Sequence, residues 1–406
     1  MSSKTRLKRS LGLPLVTLYG LGNILGAGIY VLVGKVAGFA GEGTTLAFLF
    51  AMVIAAFTAF SYMELAGRYP VSASASVYLH KAFGKQWLSV LIGLAMVAGG
   101  IASAAALSQG FAGYLNTFIG VPINVASVGL IVILGLIALK GIGESVKTAV
   151  LFTIVEILGL IMVIWAGWDV IKDTGVGDVF SVDPVLGTSG LIAGTFLAFY
   201  AFIGFEDMVN VAEEAKHPKR TMPLAILFAL GASTLLYLLV VVVAVNAVPP
   251  SELAASKAPL TLVFEKSGAS NVALLSAIGM VATVNGVIVQ IIMGSRILYG
   301  LGKQGWIYGA FAEVHAKYKT PVIATLVVLV LMVLGTLLLP IVSLAQLTSL
   351  LVLSIFMLVN VALIVIKRHA PHHDGFISVP VFVPYAGALL CVSTIAYQLQ
   401  DWLKIF

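Results

Sequence analysis

Glu156 is the side chain with the most chemical content, a carboxyl set among apolar neighbours in the stretch LFTIVEILGLIM. At the centre of a hydrocarbon layer a charged group costs on the order of 2.5–3.5 kcal/mol on insertion scales, so it must face a protein interior and be protonated, paired or used. Two readings follow, a proton or ion carrier and a protonated carboxyl that glues helices together. Two glycine-interrupted stretches stand beside it. The first, GLGNILGAGIY, carries Gly20, Gly22, Gly26 and Gly28; the second, FYAFIGFED, runs from Phe199 to Asp207. An unpaired backbone N–H or C=O in hydrocarbon costs several kcal/mol, so unwound backbone is tolerated only where protein, water or a ligand satisfies it. The amides of Gly26, Ala27 and Gly28, following Asn23 and Ile24, would form the positive end of a half-helix and attract an anion. The carbonyls of Tyr200, Ala201 and Phe202, preceding Gly204 and Phe205, would attract a cation. One small molecule carrying both charges suits both ends.

The elements that position these groups follow from composition. The chain has 406 residues, 60% hydrophobic and only 10% charged, far below the roughly 25% charge of a soluble domain. A spanning helix takes about 20 apolar residues. Apolar runs place helices at 12–38, 44–66, 86–118, 123–140, 147–170, 187–213, 222–247, 271–300, 321–339, 342–366 and 379–400. No charged residue lies between Thr320 and Ile366, and Pro340 divides that stretch into a hairpin of two helices. With the N-terminus cytoplasmic, every Lys and Arg except Lys35, Lys172, Lys257, Lys266 and Lys404 falls on the cytoplasmic side, the bias expected of a multi-pass protein of the inner membrane. The C-terminus is then outside. The basic start, Lys4, Arg6, Lys8 and Arg9, runs into the first apolar segment without a small-residue cleavage site and reads as a retained helix. The interrupted helices are the first and the sixth. Breaks five helices apart predict an all-α, five-plus-five inverted repeat, 1–170 and 187–366, with an extra helix at 379–400 and a site between the broken helices.

Other polar residues carry weaker signals. Glu206 and Asp207 begin the lower half of the sixth helix, where carboxylates complement the helix dipole and also offer charge recognition. Tyr200 and Phe205 could cover a bound molecule as gates or serve packing. Asn23, Gln109, Thr283, Asn285 and Gln290 lie inside spans, where interhelical hydrogen bonding is the default role; Thr283 is the candidate ion-coupling partner of Glu156. Glu213, Glu214, Lys216, Lys219 and Arg220 form a charged turn suited to latching a gate. His369, His372 and His373 make too short a cluster to imply a metal. Cys391 is the single cysteine, which excludes a thiolate cage or disulfide framework. GIYVLVGKV lacks the spacing and hydroxyl of a phosphate-binding loop, and no nucleophile, base and acid converge. The basic residues cluster between apolar runs and form no stripe for nucleic acid. Neither enzyme, cofactor nor metal is expected.

Five stretches resemble the amino acid–polyamine–organocation superfamily, in the branch of cationic amino acid transporters and their bacterial relatives: GNILGAGIYVLVGKVAG (22–38), YPVSASASVYLHKAFG (69–84), FYAFIGFEDMVNVAEEAKHPKRTMPLAI (199–226), SRILYGLGKQGWI (295–307) and KTPVIATL (319–326). The resemblance covers nearly the whole chain. It implies a permease of the inverted-repeat fold, with substrate carboxylate on Gly26, Ala27 and Gly28 and substrate amine on the carbonyls of Ala201 and Phe202. Two departures stand out: members usually carry twelve helices where eleven are read here, and proton-coupled relatives place a Lys where this chain has Glu156. A carboxylate there invites a proton, a sodium ion or a cationic substrate group. The expected function is amino acid symport by alternating access, with an exchanger or polyamine transporter, and a nutrient sensor or channel, as alternatives. Oligomeric state is not legible.

Overall fold

The computed structural model describes residues 9–70, 75–140, 146–174, 180–315, 317, 318, 320–369 and 377–405. They form helices α1 (Leu13–Ala40), α2 (Thr44–Arg68), α3 (Ala75–Phe83), α4 (Gln86–Leu115), α5 (Ile123–Leu139), α6 (Val146–Ala166), α7 (Trp168–Thr174) and α8 (Gly187–Ala198). After α8 the chain tightens into 3₁₀ turns at Phe199–Phe202 and Phe205–Glu214. It continues through α9 (Pro218–Ala247), α10 (Pro250–Ala255), α11 (Pro259–Lys266), α12 (Val272–Lys303), α13 (Val322–Leu338), α14 (Ile341–His369) and α15 (Phe382–Ile405). Among the described residues no strand forms; one isolated bridge joins Leu11 to Ala215.

Among the described residues, eight helical stretches are long and apolar enough to cross a membrane, the first of them, Leu13–Arg68, containing both α1 and α2; α5 and α13 are apolar but shorter. Helices apolar on every face belong in lipid, and the chain is a multi-pass membrane protein. Pro340 separates α13 from α14, as the sequence predicts.

The bundle is built around α1, which packs on α9, α6, α8, α10 and α12, while α4 lies against α12 and α14. The Leu13 end of α1 is tied down by backbone: Ser10 N and Leu11 N donate to Glu214 O at 3.0 Å each, and Lys216 N donates to Leu11 O at 2.9 Å. At the Ala40 end, Lys35 Nζ donates to the carbonyls of Ala254 and Ser256, clamping α10 over the helix. Between α7 and α8, Asp183 accepts the N–H groups of Leu186 (2.9 Å) and Val185 (2.8 Å). These donors hold its carboxyl below the usual carboxylate range.

A buried ion cluster joins α2 and α14. Glu64, fully buried, accepts Arg68 Nη2 at 2.7 Å through Oε1 and Lys367 Nζ at 2.8 Å through Oε2. The same Oε2 accepts Val379 N at 2.7 Å, tying in the segment before α15. Glu64 and Arg68 are i, i+4 neighbours, a spacing legible in SYMELAGR; Lys367 required the tertiary fold.

Candidate functional site

At Gly26 the backbone of α1 leaves helical geometry (φ −7°, ψ −165°). A break leaves the N–H groups of the next turn and the C=O groups of the preceding one without intrahelical partners. One such carbonyl, Ile24 O, accepts the Tyr237 hydroxyl from α9 at 2.6 Å. That hydroxyl also approaches Ala201 O at 3.0 Å, so a single phenol bridges both broken helices.

The second break falls at Ile203 and Gly204. Ile203 is extended (φ −69°, ψ 143°) and Gly204 has φ +128°, a conformation open to glycine and strained for other residues. A methyl group on Gly204 would lie 2.3 Å from Asn23 O, and one on Gly28 would lie 2.8 Å from Ala201 Cα. Each break therefore seats itself against the backbone of the other. Glu206 Oε2 accepts Gly204 N at 2.8 Å, capping its own half-helix as expected for a carboxylate in the first turn.

A cavity of about 50 Å³ opens between the breaks, walled by Asn23, Gly26, Gly28, Tyr200, Gly204 and Asp207 with Ser103 of α4 and Asn285 and Gln290 of α12. A second chamber of about 40 Å³ shares Ser103, Ile203, Asp207 and Gln290 with the first, and adds Tyr62, Met96, Glu206, Met293 and Phe356. A methyl at Gly26 would meet nothing within 4 Å, so this residue faces open space.

Glu156 stands behind the first chamber. It is fully buried; Oε1 accepts Asn285 Nδ2 at 3.2 Å, and its backbone carbonyl accepts the Tyr30 hydroxyl at 2.6 Å. Glu156 Oε2, Asn285 Oδ1, Asn23 Nδ2 and Gln290 Oε1 are buried with no hydrogen-bond partner, a concentration of unmet polar atoms that marks a place for a ligand, ion or water.

The remaining sequence candidates divide. Tyr200 lines the cavity with its hydroxyl on Ser103 Oγ at 2.8 Å. Ala201 and Phe202 are buried, the carbonyl of the first already engaged by Tyr237. Phe205 packs edge-on against Tyr62 at 5.7 Å and tilted against Phe356 at 5.1 Å, part of an aromatic plug beneath the second chamber. Thr283 is buried and turns its hydroxyl onto Gly279 O and Met280 O of its own helix. Gln109 bridges to α13 through Thr336 O and Leu339 O. Of Ala27 only the backbone is described, and His372 and His373 lie outside the described residues. Tyr237, Tyr30 and Ser103 were not singled out from sequence; a lone tyrosine in STLLYLLVVVV is the one trace Tyr237 leaves there.

A sequence model of the amino acid permease family matches residues 11–399. The branched-chain amino acid permease BcaP of Bacillus subtilis (strain 168) is 29% identical over 91% of this chain and 83% of its own length. Cationic amino acid transporter 4 of Mus musculus is also 29% identical over 90% of this chain, which spans 61% of the mouse protein. The methylthioribose transporter of Bacillus subtilis (strain 168) is 26% identical over 96% of this chain and 88% of its own. With the match running from the first helix into the last, the chain belongs to the amino acid permease family, a family of transporters.

Proposed function

We propose that this permease is a secondary transporter carrying an α-amino acid across the cytoplasmic membrane by alternating access, driven by proton symport with Glu156 as the proton carrier. In this reading eleven helices span the bilayer, 1–170 and 187–366 form inverted repeats, and 379–400 stands outside them. The N-terminus is cytoplasmic and the C-terminus outside. The substrate carboxylate rests on the amides of Gly26, Ala27 and Gly28, and its ammonium group lies toward the sixth helix near Tyr200, Phe202 and Asp207. The observation that carries the reading is the broken backbone at Gly26 facing a cavity, with Glu156 Oε2 and Asn285 Oδ1 unpaired behind it. A buried carboxyl with one free oxygen has room to gain and lose a proton as water reaches it from either side.

Alternating access then means releasing one clamp at a time. The pairing of Ser10 and Leu11 with Glu214 and Lys216 closes one end of α1, and the Lys35 contacts with α10 close the other. Opening one while keeping the other exposes the chambers to a single side.

Proteoliposomes test this. Uptake of labelled amino acid is expected to accelerate under an inward proton gradient, and Glu156→Gln is expected to abolish that acceleration while retaining counterflow. Uptake that needs internal substrate and ignores the imposed gradient would replace symport with exchange. A second reading, a cationic amino acid or polyamine as substrate, is favoured by Glu206 and Asp207 on the wall of the second chamber. A thermal-shift screen across amino acids and polyamines separates the two, because a specific ligand stabilises the folded state.

A further inference from the structure

Among the described residues, two apolar helices fall short of the eight stretches long enough to span. α5 and α13 have 17 residues each, about 25 Å at 1.5 Å per residue, against a hydrocarbon core of about 30 Å. They are neighbours, and their ends are matched: the Thr320 hydroxyl, just before α13, donates to Leu139 O at the end of α5 at 2.8 Å. The bilayer beside a short pair must thin, or a lipid must sink toward it.

Along the outer surface of this pair runs a groove of about 340 Å³, its wall made of Val132, Leu136, Leu139, Leu326, Val330 and Leu334 with three more aliphatic side chains. Leu136 is 56% and Val330 58% exposed, so the groove opens outward into the acyl region. At the matched ends the chemistry changes at once. Leu139 is followed by exposed Lys140, and three residues before Thr320 stands exposed Lys317, its ammonium 5.6 Å over the Tyr318 ring. Lysine and tyrosine are the side chains that settle at headgroup depth, and each lysine near a surface contributes about 1 kcal/mol toward an anionic lipid.

We propose that this groove is a binding site for an anionic phospholipid, one acyl chain lying between α5 and α13 and the phosphate held by Lys140 and Lys317. The groove supplies shape without selectivity. The lysines supply selectivity, and the shortness of the two helices brings a headgroup down to them.

Native mass spectrometry of the delipidated full chain, titrated with dioleoylphosphatidylglycerol or dioleoylphosphatidylcholine, tests it. The two lipids share chains and differ in headgroup charge. The first phosphatidylglycerol is expected to bind about 25-fold more tightly than phosphatidylcholine, with Lys140→Gln and Lys317→Gln each costing about fivefold for the anionic lipid alone. Val330→Trp, which fills the groove, is expected to weaken both lipids while the protein stays monodisperse. Soluble glycerophosphoglycerol should not compete; if it does, the site is one for free phosphate esters and the lipid assignment fails. Equal binding of the two lipids, lysine variants that keep the preference, or a concentration-dependent dimer lost in Val330→Trp would each overturn the proposal, the last by giving the groove to a second copy of the chain.

Discussion

The two interrupted helices look alike in sequence, yet they leave different groups available. After Gly26 the next turn of α1 reads Ala27, Gly28, Ile29, Tyr30, with no acidic side chain to answer its N–H groups. After Gly204 the next turn brings Glu206 and Asp207, and Glu206 already accepts Gly204 N at 2.8 Å. A half-helix start carries roughly half a positive charge; after Gly204 the protein's own carboxylate meets it, while after Gly26 no acidic side chain does. The carbonyls do not divide this way: Tyr237 reaches Ile24 O of α1 at 2.6 Å as well as Ala201 O at 3.0 Å, and Tyr200 O accepts Ile203 N at 3.3 Å. One break thus has no acidic side chain at its half-helix start, where the substrate carboxylate is proposed to sit, and the other is a self-capped bend. The bend brings Tyr200 to the cavity and sets Phe205 in the aromatic plug.

This contrast predicts opposite outcomes for the same substitution. Gly204→Ala should give the largest loss of stability, because it combines the strain of a side chain at φ +128° with a methyl 2.3 Å from Asn23 O. Strain of this kind costs about 1–3 kcal/mol and overpacking a similar amount, so thermal unfolding in detergent should shift down by roughly 2–6 kcal/mol. Wild-type stability in Gly204→Ala would mean that the sixth helix is free to rearrange and that the contrast is false.

Next in size is Tyr237→Phe. The phenol oxygen touches both breaks, and without it Ile24 O and Ala201 O are left buried. A buried acceptor stranded in this way costs about 1–3 kcal/mol. The expected result is lowered stability together with a raised KM, since both walls of the cavity lose their common anchor. If KM holds while stability falls, Tyr237 braces the bundle without positioning the site.

How far the sequence goes is visible in these same residues. Glycine content and apolar length mark where the breaks fall, because each is a property of a short stretch. Which break is self-capped was half legible, since Glu206 falls in the first turn after Gly204, where a carboxylate complements the helix dipole. Tyr237 was hidden, as was the partnership of Glu156 with Asn285, because both depend on which faces of distant helices meet. The cluster of Glu64, Arg68 and Lys367 shows the same limit: its i, i+4 half is local, and its third member lies far along the chain on α14.

Glu206→Ala and Glu206→Gln sharpen the comparison further. Removing the cap should cost about 1 kcal/mol, whereas glutamine keeps an oxygen for Gly204 N and should cost less than half of that. A loss of transport in Glu206→Gln at unchanged stability would instead assign the charge itself to substrate recognition, the role that favours a cationic cargo.

At Gly26→Ala the added methyl meets nothing within 4 Å, so its steric cost to stability is expected to fall well below that of Gly204→Ala. Gly26 lines the chamber where the carboxylate seat is proposed, so substrate affinity should fall about tenfold or more as the ligand loses its approach to the amides. Equilibrium binding on protein of verified wild-type stability measures this directly. A Gly26→Ala variant that binds normally would move the anion seat away from α1, and the unmet polar atoms of Asn23, Asn285 and Glu156 would then have to answer to an ion or water instead of the substrate.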